Sequence, residues 1–292
     1  MENNTNITEV IIDTINKIFE TLFGSIDNNL YSILDKVTFI GSDILNDSNF
    51  ESLFGSSTIN GILLIANSLL LGFILYYSVK YLLAHFTYHQ IESPSNFIIK
   101  LVLCGICMNY SFFILSFILD LNYNFSLAIR NLGESLFNKT ICFSELINTI
   151  NKNMSINTSS INIFSLDGLI KGTLSISLLN LVFSYSLRYI MIKLFALLSP
   201  FAILSLSLDS TSWFFKAWLR NLFSLLFIQI IISLVLLILF SMDYSSTNLF
   251  IKFIYIGGIY ALIQANSFVR EFLGTVSTNV PQTVKNFNLL RK

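Results

Sequence analysis

Charge is what this chain has least of. Asp, Glu, Lys and Arg make up 12% of its 292 residues and the mean hydropathy is +0.70, whereas about a quarter of a soluble globular domain is charged. A soluble domain is excluded and a polytopic membrane protein is expected. The two signs balance to a net charge of zero, so overall charge points to no nucleic-acid partner. Cysteine is also scarce, with Cys104, Cys107 and Cys142 the only three. The first two form C-x-x-C, a spacing used in thiol–disulfide exchange. They sit among Leu101, Val102, Ile106 and Met108, where a thiolate would be poorly solvated. Cys142 alone cannot supply a second pair to regenerate the first, so small apolar packing residues are expected. Histidine is limited to His85 and His89. They would share a helix face, but no Glu completes H-E-x-x-H, Glu92 is the one carboxylate in reach, and no metal site is expected. A phosphate loop, a dinucleotide fingerprint, G-x-S-x-G and paired intramembrane carboxylates are all missing. The expectation is a protein that is no enzyme and binds no cofactor. No internal repeat is visible, which removes the best sequence pointer to a secondary transporter.

What the chain does have is long apolar runs. Ile59 to Val79 and Leu101 to Leu119 are uncharged and close to the roughly 20 residues that cross a bilayer core as a helix. Asn221 to Ser241 is a third run, and Asn248 to Phe268, with Lys252 near its start, a fourth. Between Lys171 and Leu208, Arg188 and Lys193 divide a mostly apolar stretch that could cross once or twice. Cytoplasmic flanks are enriched in Lys and Arg. With five spans and the N-terminus outside, Lys80, Lys100, Arg188, Lys193, Lys216, Arg220, Arg270, Lys285, Arg291 and Lys292 fall inside, ten of seventeen basic residues. Six spans would leave four of these inside. The expected class is therefore all-α, a polytopic helical bundle of about five transmembrane helices with amphipathic interfacial helices and a re-entrant-like segment. Its location is the cell membrane, multi-pass, with the C-terminus cytoplasmic.

The expected organisation follows. Residues 1–58 hold nine acidic and two basic residues and form an exterior region without a signal peptide, since Glu2, Glu9 and Asp13 stand where a positive n-region would be. Ile7, Ile11, Ile15, Ile18 and Leu22 recur there at helical spacing, as an amphipathic helix lying on the membrane or docking on a partner would show. Residues 59–119 supply two transmembrane helices, and 120–167 an exterior polar loop rich in Asn, Ser and Thr. Residues 168–268 hold the remaining spans with a Pro-broken hairpin at 194–220, and 269–292 form a cytoplasmic basic tail.

Ionisable residues deep in a bilayer mark pathways or relays, and here they are nearly absent. Lys171, Arg188, Lys193 and Lys252 are expected near span ends, where long stems reach the interface. Asn109, Asn180, Gln229 and Gln264 remain inside and are expected to hydrogen-bond between helices. Gly257, Ala261 and Ala265, at intervals of four, make a small-residue seam on which another helix could pack, within the subunit or between copies.

The hairpin carries both tryptophans. Pro200 is expected to break the apolar segment, and Asp209, Ser210, Thr211 and Ser212 to supply turn and N-cap chemistry. From about Trp213 a helix would show Phe214, Phe215, Trp218, Leu219 and Leu222 on one side and Trp213, Lys216, Ala217 and Arg220 on the other. Arg188, Ser199, Pro200, Ala202, Trp213, Lys216 and Trp218 together resemble the pattern of the TrbL family, the polytopic inner-membrane subunits of type IV secretion and conjugation systems. The likeness is concentrated in Leu181 to Phe240. It implies a non-enzymatic subunit at the membrane base of a channel that helps translocate a DNA–relaxase substrate. The implied partners are other secretion-system membrane subunits and ATPases, membrane lipid, the transferred DNA–protein substrate and further copies of the chain. The residues by themselves also leave open a small-solute transporter or channel, and a membrane thiol–disulfide oxidoreductase.

Overall fold

Backbone polar groups have no water to bond in an apolar surrounding, so the helix is the natural state of these runs. The computed structural model describes residues 31–55, 61–87, 93–153, 166–242 and 249–273, with Thr14 and Lys17. Among the described residues every regular element is helical. Residues 31–38 form α1. They are followed by α2 (Ser48–Phe54), α3 (Ile62–Thr87), α4 (Pro94–Asn109), α5 (Ser111–Phe137), α6 (Phe143–Asn153), α7 (Leu166–Leu204), α8 (Ser212–Phe240) and α9 (Leu249–Leu273). Among the described residues four stretches, Ile62–Phe86, Ser111–Phe137, Gly172–Ser207 and Ser212–Phe240, are long and apolar enough to cross a membrane, as a multi-pass membrane protein requires. Pro94–Asn109 and Phe253–Val269 are apolar but shorter.

The chain divides into two compact units. One contains Ile40–Tyr123 and Ile190–Leu226. Here α2 starts on Asp47, whose carboxylate accepts the Asn49 N–H at 3.2 Å, and stops at Gly55, whose φ of 72° is open to glycine. Pro94 opens α4 in the first turn, where its missing N–H would have no partner anyway. α3 and α4 pair through stacked Tyr77 and Phe97 rings 3.7 Å apart and through reciprocal Asn67–Asn109 hydrogen bonds of 3.2 and 3.3 Å. Ala66, Met108, Ile203 and Leu204 form the adjoining core. The other unit contains Asn124–Tyr189, Phe227–Lys292 and the chain up to Phe39. Its buried residues include Leu34, Phe143, Leu146, Leu181, Tyr185, Ile232, Leu236, Ile259 and Leu262.

Several expectations are corrected. The run Leu101–Leu119 is divided at Tyr110, between α4 and α5. Residues 120–137 are helix rather than exterior loop, because their polar groups find partners: Asp120 accepts the Ser42 N–H at 2.9 Å, and Ser126 bonds Ser233 at 2.8 Å. Residues 143–153 are also helical, with Phe143, Leu146 and Ile147 buried at helical spacing. The Asp35 carboxylate accepts the Phe143 and Ser144 N–H groups at 2.8 and 3.2 Å, a cap for α6 supplied from more than a hundred residues away. The stretch from Lys171 to Leu204 lies in one helix, in keeping with the single crossing expected there. Asp47 and Lys193 pair at 3.4 Å, so these two do not lie on opposite sides of a bilayer as the basic-residue split requires. The N-terminal isoleucines, residues 154–165 and residues 274–292 lie outside the described residues.

The reciprocal Asn67–Asn109 pair predicts a specific coupling. Asn67→Leu and Asn109→Leu are each expected to destabilise by about 1 kcal/mol, with the double variant losing less than the sum. Unfolding titrations in detergent measure this, and strict additivity would show that the pair contributes nothing.

Candidate functional site

Arg188 lies inside α7 and is fully buried. A guanidinium in such surroundings stays protonated and needs every acceptor it can reach. Nη1 donates to the Thr38 carbonyl at 3.1 Å and Nη2 to Gln229 Oε1 at 3.1 Å. Thr38 is the last helical residue of α1, so its carbonyl is one that a helix cannot satisfy internally, and it lies at the end that favours a cation. One side chain thus joins α1, α7 and α8. Around it Tyr185 donates to the Leu262 carbonyl at 3.0 Å, and Asn266 donates to Ser184. Arg130 stacks over Phe39 at 3.9 Å from the ring centroid. The expected position of Arg188 at a span end is therefore wrong: the head does not reach an interface because the α1 carbonyl holds it inside. The arrangement is a helix anchor.

Pro200, in the other unit, does not break its helix, which continues to Leu204. A proline leaves the carbonyl four residues earlier without its donor. That carbonyl belongs to Ala196, and the Ser199 hydroxyl donates to it at 2.7 Å. One residue earlier, the buried Trp218 donates its indole N–H to the Phe195 carbonyl at 2.9 Å. Past the proline, Ser205 donates to the Ala202 carbonyl at 2.6 Å and Ser207 to that of Leu204 at 2.8 Å. Thr211 then donates to the carbonyls of Ser205 and Leu208 at 2.7 and 3.1 Å. The polar residues of the hairpin are carbonyl donors, and this is why the helix tolerates a proline and then turns back at 205–211 instead of at Pro200.

The remaining predicted residues divide. Trp213, Lys216 and Arg220 are exposed while Trp218 and Leu222 are buried, so the two faces of α8 are as the spacing indicates. Trp218 bonds inside the protein, to the Phe195 carbonyl. Of the seam on α9, Gly257 and Ala261 are exposed and Ala265 is buried. The close approach is made by Gly258, where an added Cβ would strike Leu239. Among the polar residues, Asn109 and Gln229 bond across helices, while Gln264 donates to Tyr260 on its own helix at 3.0 Å and Asn180 is half-buried. Lys193 lies 5.5 Å from the Phe50 ring centroid as well as pairing with Asp47. Cys104 is buried on α4 and Cys107 exposed, both as free thiols. Burial pushes the Cys142 thiol above its ordinary range, which makes it a poor nucleophile. His85 lies in the last turn of α3, and His89 and Glu92 lie outside the described residues. Thr38, Asp35, Tyr185, Ser184 and Asn266 were not anticipated. Tyr185 and Arg188, one turn apart on an apolar helix, were the available signal.

Comparison with protein-family models and with curated proteins finds no match.

Two outcomes follow from these hydrogen bonds. Ser199→Ala is expected to cost about 1–2 kcal/mol in the native sequence, and close to nothing in a Pro200→Ala background, where the restored N–H serves Ala196. An equal cost in both backgrounds, read from unfolding in detergent, would show that the serine does not compensate the proline. Arg188→Met is expected to lose about 1–3 kcal/mol per stranded acceptor, with Arg188→Lys intermediate because an ammonium lacks the fork that serves both oxygens. Thermal denaturation of the purified chain measures both, and wild-type stability in Arg188→Met would remove the anchor role.

Proposed function

We propose that this chain is a non-enzymatic membrane subunit at the base of a conjugative type IV secretion channel, helping to pass a DNA–relaxase substrate. The observation that carries the reading is the use of the residues behind the TrbL resemblance. Arg188, Ser199, Ala202 and Trp218 are all buried, and three of them donate to the backbone carbonyls of Thr38, Ala196 and Phe195. Residues so used hold a helical scaffold, the contribution a channel-base subunit makes. In this reading the chain works in the cell membrane as a homo-oligomer, beside other membrane subunits and the ATPases that drive transfer. The N-terminus lies outside and the C-terminus in the cytoplasm, with Lys193 on the side of Asp47.

The test is transfer itself. Deleting the gene in a donor cell is expected to reduce DNA transfer to background, with restoration by the wild-type chain supplied in trans. Undiminished transfer from the deletion strain would end the proposal, and altered uptake of a small solute in its place would support a transporter. Orientation is tested in a chain lacking Cys104, Cys107 and Cys142. Ser48→Cys is expected to react with an impermeant thiol reagent on intact cells and Ser277→Cys to stay unreactive; labelling at 277 reverses the assignment.

A further inference from the structure

The exposed face of early α8 has a composition that neither the anchor nor the carbonyl-capping network uses. At 100° per residue, Trp213, Lys216, Arg220 and Phe223 fall within an arc of about 80°. All four are exposed, Trp213 at 67% and Phe223 at 50%, while Trp218 and Leu222 on the opposite side are buried. Arg220 is the last charged residue before Asn221 to Ser241, which contains none. That boundary sets the depth of the stripe, because the uncharged stretch belongs in hydrocarbon and the two cations at its mouth. Side chains on a helix lean toward its N-terminus, so Lys216 and Arg220 reach back toward Trp213 and away from Phe223. No acidic residue lies in the first turn of α8. The nearest carboxylate in sequence, Asp209, is bonded to Lys100 at 3.4 Å.

We propose that Trp213, Lys216 and Arg220 form a site for the phosphate headgroup of an anionic phospholipid, with an acyl chain lying along the Phe223 face. Two cations one turn apart and an indole N–H supply donors to phosphate oxygens. A guanidinium can grip a phosphate bidentately, and Trp favours headgroup depth. Continuity with exposed apolar surface selects a lipid over an acidic protein, whose docking face would have to cover Phe223 at a depth already occupied by lipid. The site depends only on the membrane setting and stands whether or not the chain serves DNA transfer.

The test uses the full chain reconstituted in phosphatidylcholine nanodiscs, with brominated phosphatidylglycerol or brominated phosphatidylcholine as quencher of tryptophan fluorescence. Trp213 is exposed and reports the site, and buried Trp218 supplies a constant background. Wild-type protein is expected to prefer the anionic lipid by about five- to thirty-fold, the range for one or two cations at a charged surface. Lys216→Gln with Arg220→Gln is expected to abolish the preference, and Lys216→Arg with Arg220→Lys to keep it. Far-UV circular dichroism and size exclusion confirm that each variant is folded. Equal quenching by the two lipids in the wild type overturns the proposal. So does an unchanged preference in the folded double-Gln variant. Loss of DNA transfer in that variant with lipid preference intact would assign the face to an acidic protein partner.

Discussion

A backbone carbonyl without a donor is expensive in an apolar surrounding, and the structure is organised around that constraint. Its polar side chains act mainly on the main chain. Arg188 serves the end of α1, Ser199 and Trp218 serve the turn before Pro200, Ser205 and Ser207 serve the end of α7, and Tyr185 reaches α9. A lost donor of this kind strands an acceptor worth about 1–3 kcal/mol, against a total stability that is only a few times larger. Few polar residues can therefore have a large influence on a chain with so little charge.

The class of the molecule and the faces of α8 are legible in the sequence because they depend on local periodicity. Trp213, Lys216 and Arg220 share a face by spacing alone, and no tertiary contact changes that. Helix boundaries were less legible. Composition reads residues 120–153 as polar and loop-like, yet Asp120, Ser126 and Asp35 find partners far away in sequence, and a polar residue with a distant partner looks the same in a sequence as one in water. Pro200 misleads for the same reason. Its local effect is to break a helix, and the compensation comes from the adjacent Ser199 and from Trp218, which lies 23 residues from the carbonyl it serves. Arg188 misleads through its long stem, which equally suits an interface or an interior whose acceptors belong to another helix.

The motif that prompts the family resemblance gains a physical meaning from these bonds. Serine before proline, small alanine two residues later and a tryptophan on the returning helix make a chemically complete way to carry a helix past a proline and turn it. Such a device specifies scaffold geometry. The Trp213 stripe, by contrast, is exposed surface.

The anchor at Thr38 also constrains how the chain is made. The carbonyl and its guanidinium are separated by 150 residues. At synthesis rates of about 5–20 residues per second, α1 leaves the ribosome roughly 8 to 30 seconds before Arg188 does. During that interval the Thr38 carbonyl lacks the donor that it has in the finished fold, and the Asp35 carboxylate waits for α6, 108 residues further on. An insertion machinery or chaperone that shields α1 therefore has a defined interval in which to act.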